Sequence, residues 1–165
     1  MLHKKENKRT FFVDAMLGNI AKKLRLLGYD SKYFSYIDDE KLINIAKKEN
    51  RIIISKDENL VKKSQKFGIE SIFIRKNTEI DQLCEVVRYA GLRISEINGD
   101  TARCPKCNSL TVHVDKISIK EKIPSKVREL NERFWKCENC SKIYWEGTHI
   151  KNLQKLVGKI NEKLQ

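Results

Sequence analysis

Apolar residues between Phe11 and Ala90 fall into two alternating rhythms. Phe11-Phe12-Val13 is a short apolar run, suited to a buried strand, that stops at Asp14. Leu17, Ile20, Ala21, Leu24 and Leu27 then recur at helical spacing, and Gly28 supplies a helix stop. A second strand is expected within Tyr29–Tyr36. Asp38 or Asp39 opens a helix whose apolar side is Leu42, Ile43, Ile45 and Ala46. The run from Arg51 to Ser55, rich in β-branched residues, predicts a third strand. Leu60 and Val61 belong to a short helix closed by Gly68, and Ile69–Arg75 to a fourth strand. Ile80, Leu83, Val86, Val87 and Ala90 mark a further helix, closed by Gly91. Strand and helix alternate with short joins, which predicts an α/β domain on a mainly parallel sheet over residues 11–97.

The rhythm breaks at Ile97-Asn98-Gly99-Asp100, a turn-rich stretch, and a different kind of module follows. Cys104-Pro105-Lys106-Cys107 and Cys137-Glu138-Asn139-Cys140 are two Cys-x-x-Cys knuckles. Together they can set four thiolates at the corners of one tetrahedron, which suits Zn²⁺. Two disulfides fit less well, because the fifth cysteine, Cys84, has no partner and no secretory signal precedes them. A redox pair would open a helix after a strand and would not need a second copy. Zinc would replace the core that so small a module cannot build. Leu110–Val114 and Ile143–Trp145 read as strands of a zinc ribbon over residues 98–150, with a short helix after Pro124. Leu153, Leu156, Val157, Ile160 and Leu164 mark a C-terminal helix over residues 151–165, packed on the body or on a partner.

Composition narrows the function classes. Lys and Arg number 34 against 22 Asp and Glu, a formal charge of +12. Such a balance points to a polyanion, nucleic acid first, unless it reflects a lysine-rich proteome. Apolar residues are 40% of the chain, but no run approaches the about 20 that span a membrane. The basic leader MLHKKENKRT, residues 1–10, lacks the apolar run of a signal peptide, so the chain reads as cytoplasmic. It contains no Gly-rich phosphate loop and no Gly-x-Ser-x-Gly elbow. Cys–His nucleophilic chemistry has little support, since His3, His113 and His149 lie in the leader and the cysteine region. Cys84 falls on a helix's apolar side. Lys116, Lys120, Lys122, Lys126, Arg128 and Arg133 gather between the knuckles, near Trp135, Tyr144 and Trp145. They could grip RNA and stack its bases. Alternatively, with Asp115, Glu121, Glu129 and Glu132 they form a mixed solvated face over aromatics that pack the ribbon.

The carboxylates offer the sharpest chemistry. Ligands of parallel α/β sheets bind beyond the carboxyl ends of the strands. Asp14 stands at that end of the first strand, Asp57 just past that end of the third, and Asp39 opens the helix after the second. Three acidic positions could converge there, with Asp38 as a further candidate, and hold Mg²⁺ or Mn²⁺ through oxygen ligands. Such an ion activates water and steadies charge on a phosphodiester. The plainer reading makes Asp38, Asp39, Glu40 and Asp57 ordinary helix caps and dipole partners.

The order of these pieces resembles the Mut-7 C-terminal RNase domain, a PIN-like nuclease family. The resemblance runs through VDAMLGNIAKKLRLLGYD (Val13–Asp30), DDEKLINIAKKENRIIISKD (Asp38–Asp57), RCPKCN (Arg103–Asn108) and YWEGTH (Tyr144–His149). It implies a PIN-like sheet with an acidic divalent-metal site and an appended zinc ribbon held by four cysteines. It implies cleavage of single-stranded RNA, endonucleolytic in kind, with Asp14, Asp39 and Asp57 as the metal-binding, catalytic carboxylates. Where PIN nucleases commonly carry Thr-x-Asp, this chain has Ser55-Lys56-Asp57, which keeps the hydroxyl. Only Asn77 and Glu79 stand near the place of a fourth polar ligand. Lys22, Lys23, Arg25 and Lys56, and on the ribbon Lys126 and Arg128, are the expected phosphate contacts. A non-catalytic RNA- or ribosome-binding adaptor is the competing expectation, and a zinc-ribbon protein–protein module the third.

Overall fold

The structure is a computed structural model describing residues 9–165, so most of the basic leader, His3 included, lies outside the described residues. β1 (Phe11–Val13), β2 (Ser31–Tyr33), β3 (Ile52–Ser55) and β4 (Ser71–Phe73) form one sheet in the order β2-β1-β3-β4, with every pairing parallel. Helix α1 (Gly18–Leu26) links β1 to β2, α2 (Asp39–Glu49) links β2 to β3, α3 (Glu58–Lys66) links β3 to β4, and α4 (Glu79–Ala90) follows. The expected α/β alternation is therefore present. The second strand is short, leaving Phe34 to Asp38 as a loop.

Parallel strands are buried on both faces, and the pleat sends successive residues to opposite sides. Phe11, Val13, Ile52 and Ile54 face a core shared with α1 and α4, whereas Phe12 and Ile53 face a core shared with α2 and α3. The glycine stops hold: Gly28 and Gly91 have φ of 93° and 59°, where side chains are strained. α2 has no glycine after it, and Asn50 takes the left-handed conformation instead, at φ 53°.

A second sheet, antiparallel, contains β5 (Thr111–Val114), β6 (Phe134–Cys137) and β7 (Ile143–Trp145) in that order. The middle strand, β6, was not among the expected elements, because Phe134-Trp135-Lys136-Cys137 runs straight into the second knuckle and its burial depends on the strands on either side. Ile119, Ile123 and Phe134 make a small core beneath the short helix α5 (Ser125–Leu130). α6 (Thr148–Leu164) leaves this sheet and returns to the first one. It packs on α4, burying Leu153, Val157 and Ile160 in the core of the α1/α4 face. Each such side chain contributes about 1.5–3 kcal/mol. Gln154 also accepts a hydrogen bond from the Ile97 amide at 2.8 Å, which pins α6 to the segment after α4.

Candidate functional site

β1 leads to the sheet edge through α1, and β3 leads the other way through α3, so chain direction switches between these two neighbours. Open α/β sheets bind ligands in the crevice at such a switch point. Asp14 ends β1, and its amide bonds to the Ile54 carbonyl of β3 at 2.9 Å. The fully buried Ser55 hydroxyl donates to Asp14 Oδ2 at 2.7 Å and accepts from the Asp57 amide at 2.9 Å. One oxygen therefore ties both acidic positions together. Asp14 Oδ1 accepts from the Ala15 amide at 2.7 Å. Asp57 does cap a helix, since its Oδ1 accepts from the Asn59 and Leu60 amides that open α3. Asp57 Oδ2 is not used in that cap.

Asp38 and Asp39 behave differently. Asp38 occupies the cap position of α2 without a side-chain hydrogen bond, and sits 3.6 Å from Lys41 across solvent. The Asp39 carboxyl is pushed above the usual carboxylate range. Protein crowded round it strips away water, although the residue as a whole is exposed; the charges of Asp57 and Asp14 then add to the shift, with Lys63 opposing. The fold thus brings Asp14, Asp39 and Asp57 within electrostatic reach of one another. Their oxygens do not close into a tight cage. Among the described residues, the four ribbon cysteines are the only group of three or more potential ligands with donor atoms within 4.8 Å of one another.

Those cysteines sit in two knuckles with matching hydrogen bonds. In each, the first Cys amide bonds forward to a carbonyl (Ser109 or Lys142), while its carbonyl accepts from the residue after the second Cys. That residue, Asn108 or Ser141, has positive φ, 69° and 62°. Cys107 and Cys137 Sγ lie 3.4 Å apart and Cys104 and Cys140 Sγ 3.7 Å apart. Four thiolates about 2.3 Å from a tetrahedral zinc would be separated by about 3.8 Å, so the set could hold one Zn²⁺. The Asn139 and Cys140 amides point at Cys137 Sγ at 3.4 Å, and the Tyr144 hydroxyl lies 3.0 Å from Cys104 Sγ. Burial resists ionisation of the Cys107 and Cys137 thiols. At Cys107 hydrogen bonds from the Ser109 amide and hydroxyl overcome it, whereas Cys137 is held up.

A family model described as Mut7-C RNAse domain matches residues 9–157, a span that includes both the acidic rim and the cysteine knuckles. The chain belongs to the Mut7-C RNase domain family. No curated protein and no solved structure matches it significantly. Mut7-C membership gives the chain a nuclease-like character with RNA as the substrate class. No helix is long and apolar enough to cross a membrane among the described residues.

Within this Mut7-C fold, the cationic candidates separate. Lys22 and Lys56 line a cleft of about 560 Å³, together with Met16, Tyr33, Asn77 and Glu79. Lys56 donates to Asn77 Oδ1 at 3.2 Å, and Lys23 pairs with Glu79 at 2.5 Å. Arg25 requires correction. It is 5% exposed, and its Nε and Nη1 donate to the carbonyls of Ser31 and Pro105, both at 2.8 Å, which clamps the first knuckle to the sheet and makes it a structural arginine, not a surface phosphate contact. Asn108 completes the clamp through the Ser31 amide and Asp30. Burial opposes charge on Asp30, but hydrogen bonds from Arg51 and Asn108 prevail and hold it below the usual range. Lys126 is exposed on α5, and Arg128 is tied to the Lys120 carbonyl at 2.9 Å.

The ribbon aromatics pack rather than project. Trp135 is 2% exposed, and its Nε1 donates to Asp100 at 2.9 Å. Its ring lies so close to Gly99 that a Cβ there would stand 2.1 Å away. Exposed rings lie elsewhere, at Phe67 and Tyr89 and, paired in one loop, at Phe34 and Tyr36, which sequence reasoning assigned to a strand region. The placement of Asp38 and Asp39 directly after them was the available signal.

Proposed function

We propose that this chain is a metal-dependent endoribonuclease acting on single-stranded RNA, with a PIN-like catalytic domain and a structural zinc ribbon. The observation that carries the reading is the crowding of Asp14, Asp39 and Asp57 at the switch point, two of them tied through Ser55, in a chain of charge +12. Carboxylates that raise one another's affinity for positive charge are suited to a hard cation. A Mg²⁺ or Mn²⁺ ion held there supplies activated water and steadies charge on the phosphodiester. Asp14, oriented by Ser55 and Ala15, presents a fixed carboxylate. Asp57 contributes the oxygen left free by its capping bonds. Asp39 closes the third side from α2, with exposed Asp38 beside it. Lys22 and Lys56 hold the RNA backbone in the cleft they line.

The test is cleavage of a labelled single-stranded RNA with Mn²⁺ by the wild type, Asp14→Asn and Asp57→Asn. Each substitution is expected to lower cleavage by about a hundredfold or more while binding persists. Cleavage unchanged in both variants would rule the mechanism out. A second reading, a non-catalytic RNA- or ribosome-binding adaptor, is favoured by one observation: the carboxylates do not close into a cage. A wild type that binds RNA yet never cuts it would support the adaptor.

A further inference from the structure

Phe34 and Tyr36 stand in the loop between β2 and α2, just ahead of Asp38 and Asp39. Phe34 is 45% exposed and Tyr36 85%. Single exposed apolar residues need no explanation, but two aromatic rings in one short loop beside a charged site do. Phe34 is held in place: its ring rests on fully buried Phe12, with centroids 5.9 Å apart and planes at 44°. Phe34, Tyr36 and Ile37 face Lys41, Asn44 and Ile45 of the first turns of α2 across an open cleft of about 290 Å³. That is near the lower end of small-ligand clefts, about 300–1,000 Å³. Its walls are flat and apolar, and a cation stands at the edge, close to Asp38.

We propose that Phe34 and Tyr36 form a stacking platform that seats one unpaired base of single-stranded RNA beside the acidic rim. The proposal rests on the ribonuclease reading for its ligand. Every base offers a π face, so stacking of this kind tolerates any sequence. A duplex keeps its bases stacked inside and offers none, so the platform selects single strands. Lys41 supplies the charge that a base's own phosphate needs, in a chain already strongly cationic. The loop runs directly into Asp39, so a base held here places its neighbouring phosphodiester at the carboxylates.

The test is affinity, measured without divalent cation so that no cleavage occurs. The probes are a labelled oligouridylate and an abasic ribose–phosphate chain of the same length. The wild type is expected to prefer the base-bearing chain by about tenfold or more. Tyr36→Ala and Phe34→Ala should erase that preference while leaving affinity for the abasic chain unchanged, and Tyr36→Phe should retain it. Tyr36 is mostly exposed, so its substitution leaves the fold intact and keeps the outcome readable even if Phe34→Ala does not fold. Equal affinity of the wild type for both chains would overturn the platform. So would a preference that survives Tyr36→Ala, and either result would leave these rings as a surface for a protein partner. Because no turnover is needed, this failure is distinct from failure of the ribonuclease reading, which the Asp14→Asn cleavage assay decides.

Discussion

The Ser55 hydroxyl donates to Asp14 while accepting from Asp57, so a single buried oxygen sets the spacing of two acidic residues. The positions of Asp14 and Asp57 were legible in the sequence, because each follows an apolar strand run. Which oxygens are left free was not, since that depends on turns closed after the strands. At Asp57 the cap uses one carboxylate oxygen and leaves the other available to the proposed site, so capping does not exclude a ligand role. Asp39 makes a pH-dependent prediction. Its carboxyl titrates higher in the fold than in the unfolded chain, so the folded state binds the extra proton between the two values. Stability attributable to this residue is present below the unfolded value, about pH 4, and is lost as pH rises through the folded one. Asp39→Asn should therefore raise Tm at neutral pH in a chelator, with the gain shrinking in acid. A melting temperature whose pH dependence is unchanged by the substitution would contradict this.

Among the elements, α1 shows where pattern reading stops. Lys22, Lys23 and Arg25 look alike as basic positions on an amphipathic helix, yet each has a different fate. Lys22 lines the cleft, Lys23 pairs with Glu79, and Arg25 is buried against the first knuckle. The partners of Arg25 are main-chain carbonyls, one of them far along the chain at Pro105, and no local pattern announces a carbonyl. Strands and helices were legible because their rhythm is local, and β6 was not, because its burial depends on strands on either side. Arg25→Ala leaves two carbonyls without their charged donor and should cost about 2–3 kcal/mol of stability. Lys126→Ala, on exposed α5, should stay within about 0.5 kcal/mol. Chemical denaturation of both variants checks this, and equal midpoints would remove the clamp.

The whole molecule combines a basic surface with one acidic rim at the sheet's switch point. The rim is local and short-ranged, whereas a charge of +12 acts on the entire polyanion. RNA affinity should therefore fall by at least about tenfold between 50 and 200 mM salt, as counterions compete. A flat salt profile in a filter-binding titration would instead favour a protein partner. Charge and the α/β alternation were legible without coordinates, but the return of α6 across the first sheet was not, because an amphipathic helix does not name the surface it covers. That return bears on how the protein is made. α6 is translated after both knuckles, yet Leu153, Val157 and Ile160 complete a core whose other members emerge from the ribosome far earlier. Helices α1 and α4 cover that face of the sheet early, but the side of α4 that receives α6 stays uncovered until the chain's late segment arrives. The cysteine module, sitting between the two in sequence, can capture its metal and fold before the domain ahead of it is finished.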